Sequence, residues 1–248
     1  MKRHLSTIWV LFVLCALGAV FPAVAETSTN STWTGSSAVG LTLTRGNSKT
    51  ALANLSLQAK DKWSKNELLL GSSLTYGENA GTETTEAVDA NGQCNRLFDE
   101  RLYGGLKLDV FHDGIADLKY RITIAPVAGY YFVKNANTTL NAEAGPAYIY
   151  TDQGRGVNET RNGYPTVRLA ERLDQKLSGS AKLWESLEYL PKVQELANYL
   201  VNFELGVDAA VTKQISLRTT LQDYYNSRPA AGRFNNDVRL IAGVAYNF

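Results

Sequence analysis

Asp237-Val-Arg-Leu-Ile-Ala-Gly-Val-Ala-Tyr-Asn-Phe248 is the most informative stretch of the chain. Val238, Leu240, Ala242, Val244, Tyr246 and Phe248 share one face of an extended segment, while Asp237, Arg239, Gly243 and Asn247 share the other. An apolar face that ends on an aromatic suits a strand with lipid on one side and a polar lumen on the other. A strand of a soluble sandwich alternates in the same way. The recurrence of the pattern therefore decides the fold.

It recurs along most of the sequence. Trp33, Gly35, Ser37, Val39, Leu41 and Leu43 alternate with small polar residues as far as Arg45-Gly46-Asn47-Ser48, whose composition marks a turn. Ala51, Ala53, Leu55, Leu57 and Ala59 oppose Asn54, Ser56, Gln58 and Lys60, and Leu68, Leu70, Leu74 and Tyr76 follow. Leu106 and Leu108 alternate with Lys107 and Asp109; Ile122 and Ile124 alternate with Arg121 and Thr123. Further runs surround Leu140–Tyr150, Val167–Arg172, Ala181–Tyr189, Tyr199–Ala209 and Ile215–Tyr225. Each has about the nine or more residues that a tilted strand needs to cross a hydrocarbon layer. No segment holds a helical period.

The N-terminus reads as a secretory leader. Lys2 and Arg3 precede an apolar run from Ile8 to Val20, and Ala23-Val24-Ala25 offers a small-residue cleavage pattern. Residues 1–25 are thus expected to be a cleaved signal peptide, residues 26–32 a short polar linker, and residues 33–248 the barrel. Of the 25 bases, removing Lys2 and Arg3 leaves 23 against 24 acids, so no strong field points to nucleic acid. Only Cys94 remains after cleavage, which excludes an intramolecular disulfide. The slightly negative mean hydropathy fits a transmembrane barrel, in which half of each strand is polar.

Eleven strands are plain, yet bacterial barrels of this kind close with an even number. A twelfth is expected between Glu83 and Leu97, with Val88, Ala90, Gly92 and Cys94 on its lipid face. The fold class is therefore all-β, a closed antiparallel transmembrane barrel of 12 strands. The loop after Tyr76 and those at 112–117, 152–162, 191–196 and 227–236 become extracellular. The turns at 99–101, 134–137, 178–180 and 212–214 become periplasmic. Aromatics then form two girdles: Tyr76, Tyr148, Tyr150, Tyr189, Tyr199 and Tyr225 at the outer rim, and Trp33, Tyr130, Phe132, Tyr246 and Phe248 at the inner rim. Pro126 and Pro146 each lie ten residues from Ala136. They are expected to face one another across that hairpin and to share one bulge or break.

The same register turns charges inward. Lys60, Lys107, Lys119, Arg121, Arg168, Arg172, Lys182, Arg218 and Arg239 face the lumen with Asp109, Glu143, Asp174, Glu188, Glu204, Asp208 and Asp237. Mixed signs on adjacent strands favour cross-wall pairing, because a lone buried charge is costly. A wet pore lined by the same groups is the alternative.

Catalytic patterns are thin. His112 beside Asp113 forms a dyad on paper, but it is the sole histidine outside the leader, and a solvated loop pair is the simpler reading. One His and one Cys make no metal constellation. Asp152-Gln-Gly-Arg-Gly-Val-Asn158-Glu159 lacks the acid spacing of a calcium loop, and Gly154-Arg-Gly156 opens no helix that would cradle phosphate. No enzyme activity and no cofactor are expected.

Trp33-Thr-Gly35, Thr44-Arg45-Gly46-Asn47-Ser48, Glu188-Tyr-Leu-Pro191, Tyr225-Asn-Ser-Arg-Pro229-Ala-Ala-Gly232, Asp237 and Tyr246-Asn-Phe248 occur in this order. Their order and spacing resemble the family labelled "salt-induced outer membrane protein", built on domain of unknown function 481. The resemblance spans nearly all of the chain after the leader. It implies an outer-membrane barrel of Gram-negative bacteria, with no established activity and no catalytic residues to carry over. It also implies that Phe248 ends a strand read by the barrel-assembly machinery. The expected partners are outer-membrane lipids and that machinery, with no nucleic acid. Two functions stand: a structural or stress-responsive barrel with a narrow or occluded lumen, and a small-solute or ion channel. An outer-membrane enzyme is a distant third.

Overall fold

The computed structural model describes residues 33–43, 50–154, 159–229 and 234–248. The leader, the polar linker, the Arg45–Ser48 turn and Ala230–Gly232 lie outside them. Twelve strands run β1 (Thr34–Leu43), β2 (Thr50–Trp63), β3 (Asn66–Asn79), β4 (Thr82–Leu97), β5 (Leu102–Asp113), β6 (Leu118–Lys134), β7 (Thr138–Gln153), β8 (Thr160–Lys176), β9 (Ala181–Lys192), β10 (Glu195–Ala210), β11 (Ile215–Asn226) and β12 (Asn236–Asn247). Each pairs antiparallel with its sequence neighbours, and β1 pairs with β12 to close the barrel. The expected twelfth strand is β4, with Asp89, Asn91, Gln93 and Asn95 facing inward and Cys94 outward.

The seam is short. Ser36 to Gly40 pair with Asn247 to Gly243. One further rung comes from the last residue: Gly35 N–H donates to the Phe248 carbonyl and Phe248 N–H to the Gly35 carbonyl, both at 3.0 Å. Closure leaves no free edge to fray or to recruit another chain. Both barrel ends of the sequence lie at one rim with the short turns, here called the turn rim; the opposite one is the loop rim.

Pro126 and Pro146 do face one another. The β6–β7 ladder runs to Ile124 opposite Tyr148 and resumes at Ala128 opposite Ala144. The register is unchanged across the gap, so the prolines share a break rather than a bulge. Two residues without N–H groups at one level cost a single interruption. Val127 and Ala147 fill the lumen beneath it, packed with Ala125.

Alternation sorts the side chains. Val39, Leu55, Leu74, Leu106, Ile124, Leu169, Leu217 and Leu240 lie exposed on the outer wall, although all are apolar. Two acids interrupt this wall away from the rims. Glu171 pairs with Ala142 and Leu187, and Glu185 with Leu173 and Leu205, all on the outward side. On the inner wall, bulky rings rest on glycines. Gly206 lies under the Trp184 indole and Gly129 under the Tyr103 ring, places where a Cβ would collide with the aromatic. Glycine here makes room for side chains that fill a lumen of this width.

In phospholipid vesicles, Leu55→Arg on the outer wall should cost about 2–4 kcal/mol of unfolding free energy, and Ser56→Arg, one residue on and facing the chamber, far less. Urea unfolding of the two variants measures this. Equal losses would mean that the faces are misassigned.

Candidate functional site in the barrel lumen

Inward positions of six strands, β4, β5 and β7 to β10, meet in one charge network. Arg168 of β8 is its hub, with a side chain 5% exposed. Its Nη1 donates to Glu143 of β7 at 2.6 Å and its Nε to Glu188 of β9 at 2.6 Å. Glu188 also accepts from Lys107 Nζ at 2.9 Å and from Asn202 Nδ2 at 2.8 Å. Lys107 lies 3.2 Å from Asp109, its neighbour along β5. Glu143 further accepts from Gln93 Nε2 at 2.5 Å and from the Tyr103 hydroxyl at 2.8 Å, and Tyr103 accepts from Asn141. Every carboxylate is thus met by cationic or neutral donors, as burial requires.

Two of these contacts are chords. Lys107 and Glu188 stand on β5 and β9, four strands apart, and Gln93 and Glu143 on β4 and β7. Bonds of that span cross open lumen instead of following the wall. Space lies on either side of them. A chamber of about 880 Å³ opens toward the turn rim, and a pocket of about 150 Å³ toward the loop rim. Asp89, Asp109, Glu188, Asn202 and Tyr224 line both, so the Glu188 end of the chord lies where the two spaces meet.

Smaller clusters line the rest. Asp208 grips Arg218 through two bonds of 2.7 and 2.8 Å, and that guanidinium lies 5.0 Å from the Trp184 ring. Trp184 Nε1 donates to Glu204, which also accepts from Gln222. Arg172 is paired with Asp174 on its own strand. Toward the turn rim, Glu67 accepts from Tyr131 at 2.6 Å and pairs with Lys62. Toward the loop rim, Arg239 pairs with Asp237, and Phe111 stacks on Tyr224.

Of the charges expected inward, Lys107, Asp109, Glu143, Arg168 and Glu188 converge on the network. Glu204, Asp208 and Arg218 gather on the adjoining β10 and β11, and Lys182 lines the chamber opposite Asp208. Lys60, Arg172 and Asp174 line the chamber as well, whereas Arg121 and Asp237 line the loop-rim pocket and Arg239 is buried beside it. Lys119 departs from the expectation. It is the extra residue of a β6 bulge, and its ammonium lies against Glu159 and Asp152 rather than in the lumen. His112 and Asp113 both fall within β5, where successive side chains point to opposite faces, so they form no dyad. His112 Nδ1 instead lies 2.8 Å from the Lys119 carbonyl.

The girdle aromatics stand on the outward face. Tyr199 lies between Tyr189 and Tyr225, with ring centroids 5.4 and 5.6 Å away, and Tyr130 meets Phe132 at 5.2 Å. Tyr76, Tyr148 and Tyr246 are exposed, as are Trp33 and Phe248; Tyr150 stacks on Tyr120. The period of two also puts Tyr103, Asn141, Trp184, Asn202 and Gln222 on the polar face, but it does not single out Gln93 or show that these neutral donors complete the bonding of the charges. No group of His, Cys, Asp and Glu suited to a metal occurs among the described residues.

A family model described as "Protein of unknown function, DUF481" matches residues 37–248. The chain belongs to the DUF481 family. Nothing among curated proteins matches it. Among solved structures the DUF481 barrel is similar to the NanC porin, with a TM-score of 0.54 at 8% identity, over 88% of this chain and 100% of that one. An outer membrane channel from Pseudomonas putida F1 gives 0.48 at 12% identity, over 92% and 100%. The translocator domain of the autotransporter NalP from Neisseria meningitidis gives 0.46 at 13% identity, over 98% and 97%. At such identities the likeness to the NanC porin concerns the barrel fold alone.

Arg168→Met leaves Glu143 and Glu188 facing each other without their shared cation, and should cost about 3–5 kcal/mol. Arg168→Lys, which keeps the charge but not the planar fork, should cost less. Denaturant unfolding of the refolded DUF481 barrel orders the two variants. A neutral Arg168→Met would remove the hub.

Proposed function

We propose that this protein is an integral outer-membrane barrel with a lumen occluded at mid-height, structural or stress-responsive in role. The turn rim then faces the periplasm and the loop rim the exterior. The membrane reading is supported by the apolar outer wall with aromatics at both levels, by the closed sheet, and by the leader-like N-terminus. Occlusion rests on one observation: the Lys107–Glu188 chord, tied through Arg168 to Glu143, reaches across the lumen where the two spaces meet. Conduction would require a solute to part buried ion pairs, each held by several hydrogen bonds.

The alternative, a small-solute or ion channel, is favoured by the size and polar lining of the turn-rim chamber. Planar-bilayer recording separates the two. The occluded barrel predicts silence from the wild type and conductance steps from Glu188→Ala/Lys107→Ala, which removes the chord. Reproducible steps from the wild type would favour the channel. Insertion itself is tested by gel mobility: the closed barrel should migrate differently before and after boiling. Identical mobility would count against it. Outward Glu185 adds a further expectation. Glu185→Leu should stabilise the barrel in vesicles by about 1–2 kcal/mol, since an acid on a lipid-facing wall is costly. Destabilisation would mean that this wall does not face lipid.

A further inference from the structure

At the loop rim, β6 and β8 present two cations on the outside of the barrel. Leu118 pairs with Gln153 and Tyr120 with Asp152, so Lys119 is left between them as a bulge. Strict alternation would have sent Lys119 into the lumen with Arg121. The bulge re-aims it to the outer wall, a recurrent use of such irregularities. Outside, its Nζ lies 2.6 Å from Glu159 and 3.9 Å from Asp152. Arg161, opposite Asp152 in register, donates Nε to Asp152 at 3.0 Å and Nη2 to Glu159 at 2.7 Å.

Exposure is divided unevenly. The Asp152 side chain is 3% exposed, whereas Lys119 is 44% and Arg161 63% exposed. The acid is the buried anchor and the cations are the presented face. Of its two oxygens, Oδ2 accepts from Arg161, and Oδ1 lies 3.9 Å from the Lys119 ammonium. The Lys119 hydrogen bond, helped by both nearby cations, holds the Glu159 carboxyl below its ordinary value, so the rung keeps its charges. Asp152 follows Tyr148 and Tyr150 of the girdle along the same face of β7, and Tyr150 stacks on Tyr120. The rung therefore stands just beyond the aromatics, at the level where lipid headgroups meet a membrane-spanning barrel.

We propose that Lys119 and Arg161 form a binding site for a phosphate group of an outer-leaflet lipid, with Asp152 and Glu159 positioning them. The proposal rests on the outer-membrane reading above. A guanidinium and an ammonium side by side supply the donors that phosphate takes. Because two acids balance two cations, the rung has no net charge with which to gather free phosphate from solution. A lipid gains what a free ion lacks, namely acyl chains laid along the apolar wall below, past Tyr148 and Val167. The occupant is accordingly amphiphilic.

Native mass spectrometry of the refolded protein with bisphosphorylated lipid A is the test. A phosphate-free lipid A analogue and 10 mM inorganic phosphate serve as competitors, the latter at roughly the excess a weak single-ion site would need. The wild type should retain the phosphorylated lipid, and Lys119→Gln/Arg161→Gln should retain it about tenfold less, the loss of one or two charge-assisted bonds. Lys134→Gln, a cation at the opposite rim, should change nothing. Undiminished retention by the double variant, equal retention of the analogue, or displacement by inorganic phosphate would overturn the proposal, provided the heat-modifiable barrel forms. A chain that does not form that barrel would overturn the membrane reading and this site with it.

Discussion

Every backbone N–H and C=O in a wall that faces apolar surroundings must find its partner within the sheet. That requirement explains the closure of β1 on β12, the even strand number and the placing of both barrel ends at one rim. It also explains the tolerance for Pro126 and Pro146. Two prolines cost less when they face one another, because a single gap in the ladder absorbs both missing donors. The terminal Phe248 rung is part of the same economy, since it extends a seam that is otherwise the shortest in the sheet.

Closure then dictates the interior. A sheet of period two that shows apolar residues outward must show its polar residues inward, where they are partly withdrawn from water. Charges in that position are stable only in company. The Arg168 hub answers the need with two carboxylates and a second cation, and Gln93, Tyr103 and Asn202 supply the remaining donors. The proposed occlusion would follow from these requirements without a dedicated plug segment. Aromatic rings seated on Gly129 and Gly206 fill further space by the same device of large against small.

The strands were legible because the period of two carries both the element and its facing. Even β4, a strand with few apolar residues, could be placed by the parity of the strand count and by Val88, Ala90, Gly92 and Cys94. What escaped was of two kinds. Lys119 was misplaced because a bulge adds one residue to a strand, and nothing in Leu118-Lys119-Tyr120 announces it. The network was seen only as a set of inward charges, because the pairing of Lys107 with Glu188 depends on strand tilt and stagger, which bring together residues four strands apart. Glu171 and Glu185 were overlooked for a simpler reason: they occupy outward positions where the pattern calls for apolar residues.

The central claim is that side chains from distant strands meet across the lumen. A double-mutant cycle on Lys107→Met and Glu188→Gln, read by the unfolding free energy of the refolded barrel, measures that meeting without reference to conduction. The account predicts a coupling of about 1–3 kcal/mol between the two positions, which only direct contact or a shared network would produce. Additive losses, with no coupling between β5 and β9, would contradict it.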